Sequence, residues 1–409
     1  MKNLEVLIQT QKKRITLLEN EIIQFEKDQY ELNKQNELKS DFVSIVSHEL
    51  RTPLAIIKEG IELMLTGVYG KINVKQKKTL STVCDSIDRL ARMINNLLDV
   101  SKIEAGKMDL HKEKISLREL FDKACAPFYI KAQEKGIRLI IRYPKNDTML
   151  YVDVDKIIQV FTNILGNAMK FTPTEGVVKV AYRILAADNN FIQIAIADNG
   201  IGIPFDDLQR IFNKFEQVHH TAFKASERGT GLGLSIAEGI IKIHRGTMWV
   251  ESKEGQGSTF NFTLPKYIPE TVVRDEINHE IKSIDINTTT MSILSLSIEE
   301  VDHVKAQLPR GEFQTIVEEI KGVVRNTVRK FRDVSIDEGE EFLMVLRDCN
   351  RSGAEAVKTR LESSLQNYLA HCKIPLHIKF NVGHASYPED AHDEENLLKL
   401  ARMRDSSPV

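Results

Sequence analysis

The chain has 409 residues, of which 42% are hydrophobic and 28% are charged, and its formal net charge is -2. This length predicts roughly two to four domains, and the balanced charge gives no support for a nucleic-acid partner. No stretch reaches the roughly 18 apolar residues of a membrane helix, and the first residues lack the apolar centre of a signal peptide. We therefore expect a cytoplasmic protein without membrane insertion.

Residues 1–38 predict a coiled-coil helix. They contain neither Gly nor Pro, and their apolar residues recur at alternating spacings of three and four. Gln11, Gln29 and Asn36 interrupt this stripe, and polar positions of this kind set the register between paired helices. The alternative is an amphipathic helix that packs on its own domain.

Residues 39–112 predict two long helices joined by a short turn. The first runs to about Leu65, a turn with two glycines follows at 66–70, and the second runs from about Val74 to Ile103. Such a hairpin buries its apolar stripes best in a four-helix bundle made by two chains. We therefore expect a homodimer.

One histidine of the first helix stands among residues that suit phosphate chemistry. A neutral imidazole such as that of His48 can act as a nucleophile near neutral pH. Glu49 can hold one ring nitrogen and leave the other free to attack. Thr52 lies one turn later on the same face, where its hydroxyl can orient a water, and Pro53 should bend the helix. Read alone, each is an ordinary helix residue.

Residues 113–266 predict a mixed α/β domain. The predicted strands are Ile137–Tyr143, Val177–Leu185, Phe191–Ala197, Thr247–Val250 and Ser258–Leu264. The predicted helices are Asp155–Phe171, Pro204–Phe212 and Leu232–His244.

The helix at 155–171 and the strand end that follows it indicate a nucleotide site. Asn163, Asn167 and Lys170 share one helical face, where two amides and an ammonium can hold triphosphate oxygens and Mg2+. Asp198 ends an apolar strand and can accept a hydrogen bond from an exocyclic amine such as that of adenine. The alternatives are surface amides on the helix and a tight turn with a capping aspartate.

Glycines supply the remaining part of this predicted site. Gly229, Gly231 and Gly233 lead into the helix that starts near Leu232, and backbone amides at such an N-terminus attract phosphate. Gly255 and Gly257, just before the strand with Thr259 and Phe260, either close the adenine side or form a hairpin turn.

Taken together, residues 39–266 resemble the transmitter of bacterial sensor histidine kinases. The resemblance rests on five boxes in family order and spacing. These are the H box at 47–54, the N box at 163–171, the G1 box at 198–203, the F box at 212–215 and the G2 box at 229–235. It implies a multidomain protein with a dimeric four-helix-bundle hairpin and an α/β-sandwich ATP-binding domain of the Bergerat type, using ATP and Mg2+.

The resemblance also implies residue roles. His48 is the phosphoacceptor, and Glu49 with Thr52 forms the family's phosphatase element. Asn167 is the magnesium ligand. The expected function is transfer of phosphate from His48 to an aspartate on a response regulator receiver domain, with dephosphorylation of that regulator.

Nucleotide contacts follow from the same boxes. Lys170 contacts phosphate and Asp198 reads adenine. The other expected contacts are Asn163, Phe171, Gly200, Gly202, Ile203, Phe212, Phe215, Gly229, Gly231, Leu232, Gly233, Leu234 and Thr259.

Residues 267–284 read as a linker, and residues 285–409 resemble a diguanylate cyclase (GGDEF) domain of α+β class. We expect strands at 292–298, 341–346 and 376–381 and helices at 311–331 and 353–371. Glu300 follows the first strand, and Glu338 and Glu340 precede the second, so the alternative is that Glu300 and Glu340 place two carboxylates near a metal. Glu338 replaces a family glycine, and the family's Asn-Asp pair is absent at 306–309. We therefore expect a degenerate, regulatory domain that is not a cyclase.

Two other functions compete with the histidine kinase. A conformational ATPase, such as a chaperone or a DNA-repair clamp, would share the ATP fold but has no use for the histidine hairpin. A non-catalytic scaffold controlled by the C-terminal domain would neither hydrolyse ATP nor transfer phosphate.

Overall fold

The computed structural model divides the chain into two compact units, Met1–Lys266 and Tyr267–Val409. It describes residues 38–39, 41–145, 147–185, 190–216, 230–283, 290–308, 312–328, 334–337, 341–371 and 378–403, with residues 14, 24, 27 and 34. The predicted coiled coil at 1–38 therefore lies almost entirely outside the described residues.

The first unit opens with the predicted helical hairpin. Helix α1 covers residues 41–66 and α2 covers Val74–Glu104, where Asn73 and Gln76 form a capping box at the start of α2. Arg51 reaches Asn95 at 3.0 Å, which fixes the antiparallel register of the two helices. Within the described part of the chain, no helix combines the length and the apolar character that crossing a membrane requires.

The rest of the first unit is an α/β domain. Its elements are β1 (Lys112–Ser116), α3 (Leu117–Lys135), β2 (Arg138–Ile141), β3 (Met149–Asp153), α4 (Val154–Phe171), β4 (Val177–Ile184), β5 (Phe191–Asp198), α5 (Gly233–Ile243), β6 (Met248–Lys253) and β7 (Gly257–Pro265). Five strands form a mixed sheet in the order β2-β4-β5-β7-β6, and β1 pairs with β3. This confirms the predicted α/β sandwich.

The core of this domain lies between the five-stranded sheet and the helices α3, α4 and α5. Phe161 of α4 makes edge contacts with Phe121 of α3 and Phe262 of β7, at centroid distances of 5.9 and 5.6 Å. One helix prediction was wrong, because residues 204–212 form two short 3₁₀ turns, Phe205–Asp207 and Arg210–Phe212. Elements β1, α3 and β3 were not predicted.

The second unit is an α+β domain, as expected. Its elements are α6 (Pro269–Ser283), β8 (Met291–Ile298), α7 (Val301–Gln307), α8 (Glu312–Thr327), β9 (Val334–Asp337), β10 (Glu341–Arg347), α9 (Arg351–His371), β11 (Phe380–Tyr387) and α10 (Glu394–Arg402). The strands form an antiparallel sheet in the order β11-β8-β10-β9. The strand expected at 376–381 instead begins at Phe380. Glu338 and Glu340 lie outside the described residues.

The segment that sequence analysis assigned to a linker is largely helical, since α6 covers Pro269–Ser283. Val272, Val273 and Ile277 recur at helical spacing and are buried. Glu276 accepts a hydrogen bond from Arg347 of β10 at 3.2 Å. The charged residues that suggested an exposed linker are therefore partly used in ion pairs within the second unit.

Candidate functional site

Helix α4 presents the predicted phosphate-binding residues on one face. Its other face is buried in the core. Asn163, Asn167 and Lys170 are each partly exposed, and the Lys170 ammonium lies 4.6 Å from the centroid of the Phe171 ring. The amide nitrogen of Asn163 is buried and has no hydrogen-bond partner among the described residues. A buried donor without an acceptor suits a bound anion.

The start of α5 meets this face of α4. A Cβ on Gly233 would lie 3.1 Å from the Asn163 side-chain oxygen, so the two helices approach closely here. The N-cap residue of α5, Leu232, provides no side-chain acceptor for the first-turn amides. The Asn163 amide and the positive end of the α5 dipole thus share one location, as a phosphate site requires.

The two ends of the segment between the F and G2 boxes lie side by side. The Phe215 amide donates to the Gly231 carbonyl at 3.0 Å, and Phe215 itself has a φ of 63°. Phe212 and Leu234 are half-buried against the core of the domain. Gly229 lies outside the described residues, as do 217–228.

The strand end at Asp198 is surrounded by backbone. Asp198 ends β5, and its carboxylate accepts a hydrogen bond from the Gly200 amide at 2.8 Å. Gly202 has a φ of 68°, and a Cβ there would lie 2.1 Å from the Lys253 carbonyl oxygen. A Cβ on Gly257 would lie 2.1 Å from the Asp198 carbonyl oxygen. Only glycine fits these two positions.

Burial gives the Asp198 carboxyl an unusual electrostatic environment. Desolvation raises its pKa, while backbone hydrogen bonds from Gly200 and Ser258 oppose the shift. Nearby, the Ile203 amide donates to the Ser252 hydroxyl at 2.8 Å, which holds the turn after Asp198 against β6. Thr259 pairs with Ala197 across the β5–β7 ladder, one residue from Asp198.

His48 lies on the exposed surface of α1. Its side chain is 76% exposed, and Nδ1 lies 3.9 Å from the Glu49 carboxylate, beyond hydrogen-bond distance. The Thr52 hydroxyl donates to the His48 carbonyl oxygen at 3.5 Å, and the helix continues through Pro53. The imidazole is therefore accessible and only loosely associated with its neighbour.

Family comparisons agree with this geometry. Residues 38–106 match the His Kinase A (phospho-acceptor) domain, and residues 152–268 match the histidine kinase-, DNA gyrase B- and HSP90-like ATPase domain. Residues 271–404 match the diguanylate cyclase, GGDEF domain. The chain thus combines a phospho-acceptor domain, an ATPase domain and a GGDEF domain in this order. His48 lies in the HisKA match, and Asn163, Asn167 and Asp198 lie in the ATPase match.

Two bacterial proteins and one solved structure are similar to this chain. The non-motile and phage-resistance protein of Caulobacter vibrioides is 35% identical over 61% of this chain and 30% of its own length. Sensor histidine kinase WalK of Bacillus subtilis is 33% identical over 58% of this chain and 38% of its own. The crystal structure of full-length ShkA with AMPPNP shares 26% identity and a TM-score of 0.48, covering 55% of this chain and 46% of that one. The chain thus spans less than half of each.

The structure adds contacts that sequence reasoning missed. Asp99 near the end of α2 binds Lys156 and Gln159 of α4, at 3.1 and 2.7 Å. Glu104, the last residue of α2, binds Lys39 and Lys214. These partners are 57 to 110 residues apart in sequence, so no local spacing signals them. The contacts with Lys156, Gln159 and Lys214 join the HisKA hairpin to the ATPase domain, and the Lys39 contact lies within the HisKA region.

Proposed function

We propose that the chain is an ATP-dependent protein-histidine kinase that phosphorylates its own His48. The observation that carries the proposal is the pairing of two sites within one unit. One is a cleft where the Asn163 amide, which has no hydrogen-bond partner among the described residues, meets the start of α5. The other is an exposed histidine on a HisKA helix.

In this reaction His48 supplies the attacking nitrogen. Glu49 lies on the Nδ1 side of the ring, so we assign the attack to Nε2, the nitrogen away from the carboxylate. The lone pair of Nε2 forms a bond to the γ-phosphorus, and the bond from phosphorus to the β–γ bridging oxygen breaks, so that ADP leaves. Glu49 accepts the Nδ1 proton from the ring, which otherwise becomes a cation.

The cleft residues hold the nucleotide in this proposal. Asp198 accepts a hydrogen bond from the adenine amine, and Asn163 with Lys170 binds phosphate oxygens. Asn167, one turn beyond Asn163 on the same face of α4, would hold Mg2+, which neutralises charge on the phosphate oxygens. The α5 amides provide further donors to the phosphates.

The HisKA hairpin indicates two partners, a second copy of the chain and a response regulator. Phe42, Ile45 and Ile56 of α1 are 64 to 66% exposed. A second copy of the chain would cover this apolar surface, which favours a homodimer. The accessible His48 can then pass its phosphate to an aspartate of a response regulator receiver domain. Thr52 would orient a water for the dephosphorylation of that regulator.

We also propose that the GGDEF-family region regulates the kinase and is not a cyclase. Glu338 supplies a side chain where the family has a glycine. In the structure, Arg402 binds both carboxylate oxygens of Glu341 at 2.8 Å, and the Ser295 hydroxyl also donates to one of them. This carboxylate is therefore already engaged within the chain.

The kinase proposal is tested by incubation with γ-labelled ATP and Mg2+. We expect an acid-labile, alkali-stable label on the wild type, and its loss in His48→Ala and in Asn167→Ala. His371→Ala, which changes an exposed histidine of α9, should keep the label. An unlabelled wild type that still binds ATP would favour the scaffold alternative.

The proposal for the GGDEF region is tested separately with GTP. The full chain is incubated with GTP and Mg2+, and cyclic dinucleotide is measured. We expect none. Formation of a cyclic dinucleotide would show that the region is a cyclase and that Glu338 is tolerated in its turn.

A further inference from the structure

The five-stranded sheet of the ATPase domain ends at β2, which has no strand on its outer side among the described residues. The backbone amides of Arg138 and Arg142 donate to carbonyl oxygens on the β4 side, each at 2.9 Å. Amides alternate in direction along a strand, so those of Leu139 and Ile141 point away from β4. This edge therefore offers backbone donors and acceptors to a further strand.

The layer of apolar side chains on the inner side of this edge is incomplete. Val178 of β4 faces the core and is 0% exposed, whereas Leu139, its register partner on β2, stays partly exposed. Ile141 also packs against the core without being fully buried. The hydroxyl of Tyr129 on α3 lies beside that of Tyr143, just after β2, and Tyr129 is 46% exposed. A further strand would bury apolar surface here.

The outer face of the same edge carries positive charge. Arg138 and Arg142 of β2 stand next to β4, which carries Lys179 and Arg183 on the same face, and all four are exposed. The outward-facing positions of β2, β4 and β5 hold no aspartate and no glutamate. Within the described part of the chain, none of the four cations forms an ion pair. Ile140, between the two arginines, is 39% exposed.

These two layers define the chemistry of an occupant. Successive side chains of a strand point to opposite faces, so a strand paired with β2 places every second side chain against Leu139 and Ile141. The remaining side chains lie beside Arg138 and Arg142. Burial stabilises the first set when it is apolar, and ion pairs stabilise the second set when it is acidic. Phosphates of a lipid or a nucleic acid would use the charges alone, because they supply no backbone partners for the open edge.

We infer that the β2 edge binds an extended segment of a partner protein in which apolar and acidic residues alternate. Backbone hydrogen bonds add this segment to the sheet as a sixth strand, and its side chains determine which partner binds. The cations that select the acidic residues are Arg138, Arg142, Lys179 and Arg183. None of them belongs to the nucleotide cleft, so the inference does not depend on the proposed phosphate transfer.

The test measures the binding of synthetic peptides to the full chain by fluorescence anisotropy. The probe is a labelled peptide of about eight residues, a common strand length, in which Val and Glu alternate. We expect saturable binding to the wild type. A second peptide has the same composition, with all its glutamates grouped at one end. It should bind about tenfold more weakly or worse, because it matches only one of the two layers at a time.

Charge reversal at the edge tests the ion pairs. Arg138→Glu and Arg142→Glu should each weaken binding of the alternating peptide about three- to tenfold, because attraction becomes repulsion. The matched control is Lys253→Glu, which reverses an exposed cation on β6, the opposite edge of the same sheet. It should change binding by less than about twofold, because that charge lies beyond the screening length. With both arginines reversed, a peptide that alternates Val and Lys should bind instead.

N-methylation of the peptide tests the backbone pairing without any change in the protein. Alternate amides of a strand point to opposite edges, so only one set of them meets β2. One peptide is methylated on every Val nitrogen and the other on every Glu nitrogen. We expect one of the two to bind like the unmodified peptide and the other to lose binding.

Several results would overturn the inference. Without saturable binding of the alternating peptide to the wild type, the arginines of β2 serve only to keep an open edge from pairing. Equal binding of the grouped peptide, an equal loss in Lys253→Glu or equal binding of both methylated peptides would each show that charge alone acts. Binding of phosphatidylserine vesicles or of a DNA duplex in place of the peptide, lost in Arg138→Glu, would assign the surface to phosphate groups.

Discussion

The acceptor helix and the ATP cleft are built in opposite ways. His48 stands 76% exposed on a single helix, and its side chain is loosely associated with a residue next to it in sequence. The cleft brings together α4, the end of β5, the start of α5 and the β6–β7 turn, with close backbone contacts at Gly202 and Gly257. Chemistry that depends on fixed dipoles needs such preorganisation, whereas an acceptor needs access. Substitutions in the cleft should therefore affect folding and binding, and those around His48 only the chemistry.

Gly257→Ala should have the largest effect on the cleft. Its Cβ would lie 2.1 Å from the Asp198 carbonyl oxygen, at a φ of 94°. We expect a loss of about 3 kcal/mol or more in the free energy of unfolding, together with loss of ATP binding. The matched control is Gly255→Ala, which also has a positive φ, 75°, but nothing within 4 Å of its Cβ. It should cost about 1 kcal/mol. Equal melting temperatures of the two variants would contradict a steric clash between the new Cβ at position 257 and the Asp198 carbonyl oxygen.

Asp198→Asn should separate binding from acceptor chemistry. Loss of a charge-assisted hydrogen bond to the adenine amine is expected to weaken ATP binding about ten- to hundredfold. His48→Ala should leave ATP affinity within about twofold of the wild type, because the contacts of His48 among the described residues are with Glu49 and Thr52 and lie outside the cleft. Titration with a fluorescent ATP analogue measures both. A loss of ATP affinity in His48→Ala would contradict the conclusion that His48 acts in phosphate transfer and not in ATP binding.

Thr52→Ala should lower the rate at which the response regulator is dephosphorylated and leave autophosphorylation nearly unchanged. Without the hydroxyl that orients water, we expect dephosphorylation of the response regulator to fall about tenfold or more, while autophosphorylation stays within about twofold. The control is Thr82→Ala, on α2, whose hydroxyl also donates to the carbonyl four residues earlier. Its two activities should match the wild type. An equal fall in kinase and phosphatase rates of Thr52→Ala would point to damage of α1.

His244 is a buried histidine, in contrast to the exposed His48. Its expected effect is a small pH dependence of the free energy of unfolding. Its Nε2 accepts from the Asp153 amide at 3.0 Å, and its Nδ1 lies 2.8 Å from the Ile240 carbonyl oxygen. Burial lowers its pKa, and only the neutral ring satisfies both contacts. The unfolded chain takes up a proton near pH 6.5 while the folded chain does not, so stability should fall as pH drops below that value, by at most about 1.4 kcal/mol per pH unit.

His244→Gln should remove this part of the pH dependence. The amide can still accept from Asp153, but it does not titrate. The measurement is the free energy of unfolding at pH 7.5 and 5.5, in which other titrating groups contribute equally to both proteins. The same slope in wild type and variant would show that His244 is not responsible.

Prediction from sequence worked best where the signal is local. The spacing of Asn163 and Asn167 indicated one helical face, and α4 does present both on its partly exposed side. Prediction failed where burial decides the outcome. Prolines and charged residues suggested a linker at 267–284, yet residues 269–283 form α6, in which Val272 and Ile277 are buried. A second wrong prediction was the helix at 204–212, where the chain forms two 3₁₀ turns.

The order of the domains, the hairpin and the five boxes could be predicted from the amino-acid sequence, because helical periodicity and glycine-rich turns depend on neighbouring residues. The pairing of Asp99 with Lys156, and of Glu104 with Lys39 and Lys214, became visible in the folded chain and not in the sequence. The packing of α2 on α4 and α5 brings these pairs together. The sequence of a helix does not indicate which distant residue a charged side chain will bind.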